Sequence, residues 1–275
     1  MDRMEFCKYE ACGNDFIMLD CRVSEPEMTP ERARVLCDRH KGIGADGVIM
    51  LLPSSGADAR MRIINADGSD AEMCGNGVRA LFLYALDIGA LGGDEMSVET
   101  AAGLRTVKRT AQDTFEVDMG EPGMTRGTIP VEGPAEEDAL HVMIDVECVG
   151  SLDCRCVSMG NPHCVIFVDD LETYPVRSVG PLIERSPSFP ERTNVEFVKV
   201  VGDDLEVRVW ERGAGETQAC GTGACSALVA ASSRGLVPRK AIVSLPGGDL
   251  YIEWGESVFM TGPARRVFDG RIDTD

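Results

Sequence analysis

Two cysteines in matching sequence contexts are the residues of this chain best suited to acid–base chemistry. Cys74 opens the motif Cys74-Gly75-Asn76-Gly77, Cys220 opens Cys220-Gly221-Thr222-Gly223, and an apolar segment follows each. This pattern predicts a helix that begins at each thiol, where backbone N–H groups lack partners and the helix dipole is positive. We expect the pKa of each thiol to fall below its free value of about 8.5, and the N–H groups to bind a carboxylate.

A thiolate and a thiol on opposite sides of one carbon atom can invert that centre. One sulfur removes the α-proton and the other delivers a proton to the opposite face. The alternative is that both cysteines merely cap core helices. Helix N-caps are usually Ser, Thr, Asp or Asn, so cysteine at both positions favours the chemical role.

The two halves of the chain match each other. At an offset of 146 residues, Cys74 falls on Cys220 and the helix-ending Gly89 on Gly235. Arg62 falls on Arg208 at the same offset, and at 147 residues the pair Gly13-Asn14 falls on Gly160-Asn161. Agreement over several features predicts an internal duplication of one α/β unit. If the halves face each other, the two thiols meet across one cleft.

Periodicity and capping residues predict the elements that position these motifs. A helix should begin after Thr29 as its N-cap, and apolar helices should cover Val78–Ile88 and about Gly221–Ser233. Strands are expected at Gly47–Leu52 and in a hairpin spanning Asn194–Trp210. The sequence thus predicts strands that alternate with a few helices.

Composition excludes several classes of protein. The net charge of −19 disfavours binding to nucleic acid or anionic membranes, and no apolar run approaches the ~20 residues of a membrane span. The N-terminal residues lack a secretory pattern, so a cytoplasmic location is expected. The 11 cysteines contain no Cys-x-x-Cys pair. Cys154 and Cys156 share a strand face but make a poor zinc site, so no metal is expected.

Six ordered segments resemble the motifs of the diaminopimelate epimerase family. They are Gly13–Phe16, Gly42–Gly47, Asn65–Gly77, Gly160–His163, Arg192–Val195 and Glu211–Gly223. Together they extend over most of the chain, which makes the resemblance specific although each motif alone is weak. One departure is Gly47, where some family members carry a polar side chain.

The resemblance implies an α/β fold of the α+β type with two pseudo-symmetric domains, each a barrel-like sheet around a central helix. The first domain would comprise residues 1–119 and a returning C-terminal strand, 263–275. The second would comprise residues 120–262, with the active site in the cleft between the domains. The implied reaction interconverts LL- and meso-2,6-diaminoheptanedioate without pyridoxal phosphate, metal or nicotinamide.

The resemblance also assigns roles to individual residues. Cys74 and Cys220 would be the two acid–base groups, supported by His163 and Glu211, which also faces the substrate. The backbone N–H groups at the helix tips would hold the carboxylate of the reacting centre, and polar side chains would bind the distal end. The tip residues are Gly75, Asn76, Gly221 and Thr222, and the distal set is Asn14, Asn65, Asn161, Asn194 and Arg212.

Two alternatives remain open at this stage. A proline or hydroxyproline racemase would also use two cysteines, although proline has no distal amino-acid group for Arg212 and the asparagines to bind. A thiol redox protein would use the cysteines as an exchanging pair. The expected partner is a small amino acid, and the oligomeric state is open, a homodimer included.

Overall fold

The computed structural model describes residues 3–71, 73–147 and 149–273. The chain divides into two compact units. The first comprises Met1–Asp118 and Thr261–Asp275, and the second comprises Met119–Met260. Each unit is a mixed sheet with two helices, which confirms the predicted α+β class.

The first unit contains a curved sheet in which most neighbours are antiparallel. The sheet order is β18–β1–β2–β3–β4–β6–β7–β8, with β5 on β4, and only the β2–β3 and β4–β6 pairs are parallel. Its elements are β1 Arg3–Ala11, β2 Asn14–Asp20, α1 Pro30–Cys37, β3 Gly47–Leu52, β4 Ala59–Asn65, β5 Asp70–Ala71, α2 Gly75–Asp87, β6 Glu95–Thr100, β7 Gly103–Ala111, β8 Thr114–Asp118 and β18 Arg265–Asp273.

The second unit repeats this plan. Its order is β9–β10–β11–β12–β13–β15–β16, with β14 on β13, and the β11–β12 and β13–β15 pairs are parallel. Its elements are β9 Val142–Val146, β10 Gly150–Ser158, β11 Pro162–Phe167, α3 Val176–Glu184, β12 Asn194–Val201, β13 Asp204–Glu211, β14 Gly215–Thr217, α4 Gly221–Ser233, β15 Lys240–Leu245 and β16 Gly248–Trp254; β17 Val258–Pro263 carries the chain back to the first unit.

Helices α2 and α4 are equivalent in length and in both ends. Each has 13 residues and a cysteine as N-cap. Each stops at a glycine with positive φ, 67° at Gly89 and 71° at Gly235, a conformation that only glycine adopts without strain. Helix α2 begins at Gly75, directly after Cys74 as the motif predicts and three residues before the apolar stretch that starts at Val78. Burial of the tip outweighs the low helix propensity of its two glycines.

Each of these helices is the core of its unit. Residues Gly75–Ala85 of α2 are all buried, and the helix contacts β1, β2, β3, β4, β7, β8 and β18. Helix α4 contacts β10, β11, β12, β13, β15 and β16 in the same way. The sheets curve around the helices but do not close into barrels. Of the helices that the structure describes, none has the length and apolarity to span a bilayer.

Helix α3 is an element that the sequence patterns did not predict. It follows Pro175 and contains Pro181, so its capping and composition are unfavourable for a helix. It nevertheless buries Val176, Val179 and Ile183 against the second core. Tertiary packing of one apolar face therefore decides this segment.

The duplicated arginines hold the loops that lead to the two cysteines. Arg62 on β4 pairs with Asp70 on β5, and Arg208 on β13 pairs with Glu216 on β14. The second pair is the more buried, with side-chain exposures of 24% and 15% against 38% and 63% for the first. Arg208 Nη1 also donates to the Leu171 carbonyl at 2.9 Å. The duplicated arginine thus stabilises the loop framework.

We expect Arg208→Ala to destabilise the protein by about 1–3 kcal/mol, because it leaves the largely buried Glu216 carboxylate with only the exposed Arg177 as a donor. The matched variant Arg62→Ala should cost less than about 1 kcal/mol, since an exposed pair contributes little. Urea unfolding followed by circular dichroism measures both. Equal losses for the two variants would contradict the difference in burial.

Candidate active site

Cys74 is the N-cap of α2 in an extended backbone conformation, as predicted. Its Sγ accepts a hydrogen bond from Gly77 N–H at 3.4 Å and lies 3.6 Å from Asn14 Oδ1, which accepts from the thiol. Asn14 Nδ2 donates to Asp46 at 2.7 Å, which fixes the amide with its oxygen toward the sulfur. The structure therefore brings the predicted residues Cys74 and Asn14 into contact.

A charged network supports Asn14 from behind. Asp15 forms ion pairs of 2.6 Å with Lys8 and with Arg39, and Arg39 also pairs with Asp46. Burial raises the pKa of Asp15, but hydrogen bonds from Arg39 and Lys8 outweigh this effect and lower the pKa to about 2. The network thus stays charged near neutral pH and keeps Asp46 in place.

Asn76 directs its side chain into the protein. It is 1% exposed, and its Oδ1 accepts from Arg79 Nη2 at 2.8 Å. Arg79 is itself fully buried in α2, whereas the equivalent residue of α4 is Cys225. The part of Asn76 that faces the helix tip is its backbone N–H, the group assigned to carboxylate binding.

Asn65 closes the turn that precedes Cys74. Its Nδ2 donates to Ser69 Oγ at 3.0 Å, and its backbone N–H bonds to the Ser69 carbonyl at 2.8 Å. The side-chain Oδ1 retains acceptor capacity. The turn role is observed, and the substrate-binding role stays a prediction.

Cys220 is the N-cap of α4 and is more buried than Cys74. Its Sγ lies 3.4 Å from Thr222 Oγ1 and is hydrogen-bonded to the Glu211 carboxylate. Thr217 Oγ1 donates a short hydrogen bond to Glu211. The structure thus brings together three of the predicted site residues, Cys220, Thr222 and Glu211.

The pKa expectation was wrong for Cys220. Burial raises the pKa of this thiol well above its usual value, and the nearby carboxylates of Glu211 and Glu196 raise it further. Hydrogen bonds from Thr222 and the Gly223 N–H act in the opposite direction but are weaker. Desolvation outweighs the helix dipole here, because the tip lies within the core of the unit.

His163 joins this group through two hydrogen bonds. Its Nε2 lies 3.0 Å from Asn161 Oδ1, and its Nδ1 lies 2.7 Å from Glu196 Oε1. Asn161 Nδ2 donates to Thr222 Oγ1 at 3.3 Å. His163 and Glu196 are both completely buried. A continuous chain of hydrogen bonds therefore runs from Glu196 to the tip of α4.

One cluster of metal-type ligands is present in the described part of the chain. Ligand atoms of His163, Glu196 and Cys220 lie within 4.8 Å of one another. Two ligands of a tetrahedral zinc ion lie about 3.3 Å apart, as follows from bond lengths near 2.0 Å. The 2.7 Å contact of His163 Nδ1 with Glu196 Oε1 is shorter than this separation and has the length of a hydrogen bond. The arrangement therefore fits a hydrogen bond better than two zinc ligands.

Asn194 and Arg212 are joined through the backbone. Asn194 Nδ2 donates to the Pro162 carbonyl at 2.8 Å, and its Oδ1 accepts from Arg212 N–H at 2.8 Å. Asn194 therefore clamps two loops. The Arg212 guanidinium is exposed and donates to the Glu191 carbonyl at 3.2 Å. This acceptor is a backbone carbonyl and not a carboxylate.

Two buried carboxylates were missed by the sequence interpretation. Glu184, at the end of α3, accepts from Gly213 N–H at 3.1 Å and from Trp210 Nε1 at 2.8 Å, and so holds the loop of Arg212. Glu196 is the one charged residue in the fully buried part of strand β12, residues 194–198. A carboxylate within an apolar stretch is a sequence signal for a functional residue, so Glu196 could have been found. No comparable sequence pattern marks Glu184.

Comparison with known proteins places the chain in a family. The sequence model of diaminopimelate epimerase matches residues 6–125 and 155–267. "Diaminopimelate epimerase 1" of Nostoc sp. PCC 7120 is 50% identical over 98% of this chain and 99% of its own length. The diaminopimelate epimerase of Pelotomaculum thermopropionicum is 49% identical over 97% and 98%. This chain belongs to the diaminopimelate epimerase family. It is an isomerase.

Solved structures agree on the fold. A hydroxyproline epimerase from Agrobacterium vitis superposes with a TM-score of 0.73 at 17% identity, over 99% of this chain and 93% of that one. A PhzF-family phenazine biosynthesis protein from Bacillus anthracis gives a TM-score of 0.72 at 17% identity, over 99% of both chains. At this identity the similarity shows a common fold.

The surroundings of Cys220 predict the pH dependence of its alkylation. Thiolate is the reactive form, and it forms only as the pH rises through a raised pKa. We expect the iodoacetamide reaction of Cys220, followed by peptide mass spectrometry, to accelerate beyond pH 9 without a plateau. Glu211→Gln removes a negative charge and should move the profile to lower pH. A plateau below pH 8.5 in the wild type would contradict the burial argument.

Proposed function

We propose that this isomerase interconverts LL- and meso-2,6-diaminoheptanedioate with Cys74 and Cys220 as its two acid–base groups. The observation that carries the proposal is the duplicated thiol, which caps a buried helix in each unit. An epimerase needs one base and one acid for one carbon atom, and two copies of one thiol-bearing tip supply both. Membership of the family supports the substrate.

The proposed site lies in a cleft between a first domain, residues 1–119 with 263–275, and a second domain, residues 120–262. In this arrangement the thiols would flank the α-carbon from opposite faces. Their positions in separate units of the same fold support such a two-fold relation. The domain boundaries and the cleft are part of the proposal.

The surroundings of the second thiol favour one assignment of its role in the cycle. Burial and two carboxylates favour the protonated form of Cys220, so Cys220 would enter the cycle as the acid. Cys74, whose thiol donates to Asn14 Oδ1, would lose that proton before it acts as the base. After one turnover the proton has moved from one sulfur to the other. The reverse reaction then uses the same groups in exchanged roles.

The helix tips would stabilise the carbanion that forms when the α-proton leaves. Backbone N–H groups of Gly75, Asn76, Gly221 and Thr222 are the first in their helices, where no carbonyl of the same helix can accept them. Aimed at the α-carboxylate, they would bind the negative charge that develops there. This electrostatic contribution takes the place of an electron-withdrawing cofactor.

The distal end of the substrate would lie near Arg212 and the asparagines. The exposed guanidinium of Arg212 can bind a carboxylate through two parallel hydrogen bonds. Asn14, Asn65, Asn161 and Asn194 offer amide groups with remaining capacity. The proposed substrate is a free amino acid, and the proposed location of the protein is the cytoplasm. The net charge of −19 disfavours nucleic acid as a partner.

Incubation with LL-diaminopimelate in heavy water tests the reaction. Wild-type protein should form the meso isomer with deuterium at the inverted α-carbon, since the delivered proton comes from an exchangeable thiol. Cys74→Ser and Cys220→Ser should each lose at least about 100-fold in epimerisation rate, because a hydroxyl is a far weaker acid–base group. Chiral chromatography and mass spectrometry measure both products.

Cys7→Ser is the matched control, since Cys7 lies half-buried on β1 and is not one of the predicted site residues. It should retain wild-type activity. Normal turnover by the double serine variant would refute the mechanism. Racemisation of proline without reaction of diaminopimelate would instead support the proline-racemase alternative.

A further inference from the structure

Glu196 is a fully buried carboxylate to which neither the proposed mechanism nor the family resemblance assigns a role. Its Oε1 bonds to His163 Nδ1 at 2.7 Å. Its Oε2 is buried and has no hydrogen-bond partner within the described part of the chain. A carboxylate so placed is costly to fold into a core, which indicates that it serves a purpose other than stability.

The duplication provides an internal comparison for this position. Residue 196 corresponds to Ile49 at the offset of 147 residues, and strand pairing gives the same register, with Met18 opposite Ile49 and Val165 opposite Glu196. A Cβ built on Gly77 would lie 2.8 Å from Ile49 Cδ1. A Cβ built on Gly223 would lie 2.7 Å from Glu196 Oε1. The two side chains thus occupy the same place beneath the two helix tips.

His163 has an equally apolar counterpart. It corresponds to Phe16, which is opposite Gly47 as His163 is opposite Asn194. Phe16 is 2% exposed and Ile49 is fully buried, so the first unit fills this space with hydrocarbon. The fold itself therefore does not require a polar pair there, and the second unit alone carries the carboxylate and the imidazole.

The orientation of the Asn161 amide indicates where the protons of His163 lie. In this structure the Asn161 amide has Nδ2 toward Thr222 Oγ1 and Oδ1 toward the ring, an orientation in which Oδ1 accepts from Nε2–H. The ring proton at Nε2 is thereby used. The contact of Nδ1 with Glu196 then needs a second proton, shared between the two groups. With its single proton at Nε2, a neutral imidazole opposite an ionised carboxylate would leave two acceptors facing each other.

We propose that Glu196 is a positioning residue that keeps a proton at His163 Nδ1, so that Nε2–H stays directed at Asn161 and orders the tip of α4 at Cys220. The functional part of this inference rests on the proposed function. The other ionisable groups that face the pair are Glu211 and the thiol of Cys220, and neither bonds to Nδ1. The carboxylate acts through the imidazole and does not touch the substrate.

Glu196→Gln removes the shared proton but keeps the packing of the side chain. The amide has nearly the same shape and can donate to Nδ1, which leaves His163 neutral with its proton at Nε2. The packing is then retained, but the second ring proton is gone, so a neutral ring holds Nε2–H on Asn161 less firmly and the tip at Cys220 is less ordered. The double variant His163→Phe with Glu196→Ile reproduces the pair of the first unit and tests folding. We expect it to fold with an unchanged circular dichroism spectrum.

Nitrogen NMR with ¹⁵N-labelled histidine measures directly which ring nitrogens of His163 carry a proton. The chain has three histidines, and the exposed His40 and His141 provide reference signals. At pH 7.5 the wild type should show protons on both nitrogens of His163, or one proton shared at Nδ1. The Gln variant should show an unprotonated Nδ1. This readout does not depend on any enzyme activity, so it tests the proton arrangement even if the proposed function fails.

Kinetics with LL-diaminopimelate test the consequence. For Glu196→Gln we expect kcat to fall on the order of 100-fold, as when a carboxylate that orients a catalytic imidazole is neutralised, with KM within about twofold. The NMR change together with the selective loss of kcat supports the proposal. An unprotonated Nδ1 in the wild type, an unchanged Nδ1 signal in the variant, or an unchanged kcat overturns it.

Discussion

A helix that is buried on nearly all sides leaves its first N–H groups without partners, and this constraint organises the whole molecule. Both α2 and α4 run through the middle of a curved sheet, so polar groups can reach them only at their ends. The tip must be capped and must remain open to a ligand at the same time. A cysteine cap meets both needs, because its sulfur accepts weakly and leaves most of the N–H groups available.

Duplication supplied two such tips, and later substitution made them unlike. The residue one turn into α2 is the buried cation Arg79, whereas α4 has Cys225 there. Beneath the tips the difference is reversed, since Ile49 lies under the first and Glu196 under the second. The buried cation thus lies in the helix of one unit, and the buried carboxylate lies beneath the helix tip of the other. The carboxylate of Glu196 helps to raise the pKa of Cys220, and the first thiol has the apolar Ile49 in the equivalent place.

The loops around the tips are held by charged and polar bonds that recur in both units. The Arg62–Asp70 and Arg208–Glu216 pairs join equivalent strands, and Glu184 adds a further clamp in the second unit only. Rigid loops matter for acid–base work, because proton transfer requires donor and acceptor to stay within hydrogen-bond reach. The surplus of carboxylates in the chain is partly used in this way.

The sequence by itself determined the duplication, the helix that begins at each cysteine and the family. These follow from local rules: glycine stops, helix periodicity and ordered motifs are visible along the chain. The structure alone decided which way the thiol of Cys220 titrates, that α3 is a helix despite its prolines, and that Glu196 lies against His163. Burial and contact between distant residues control these properties. Glu196 and His163 are 33 positions apart and meet only because β11 and β12 are parallel neighbours, a pairing that no local pattern records.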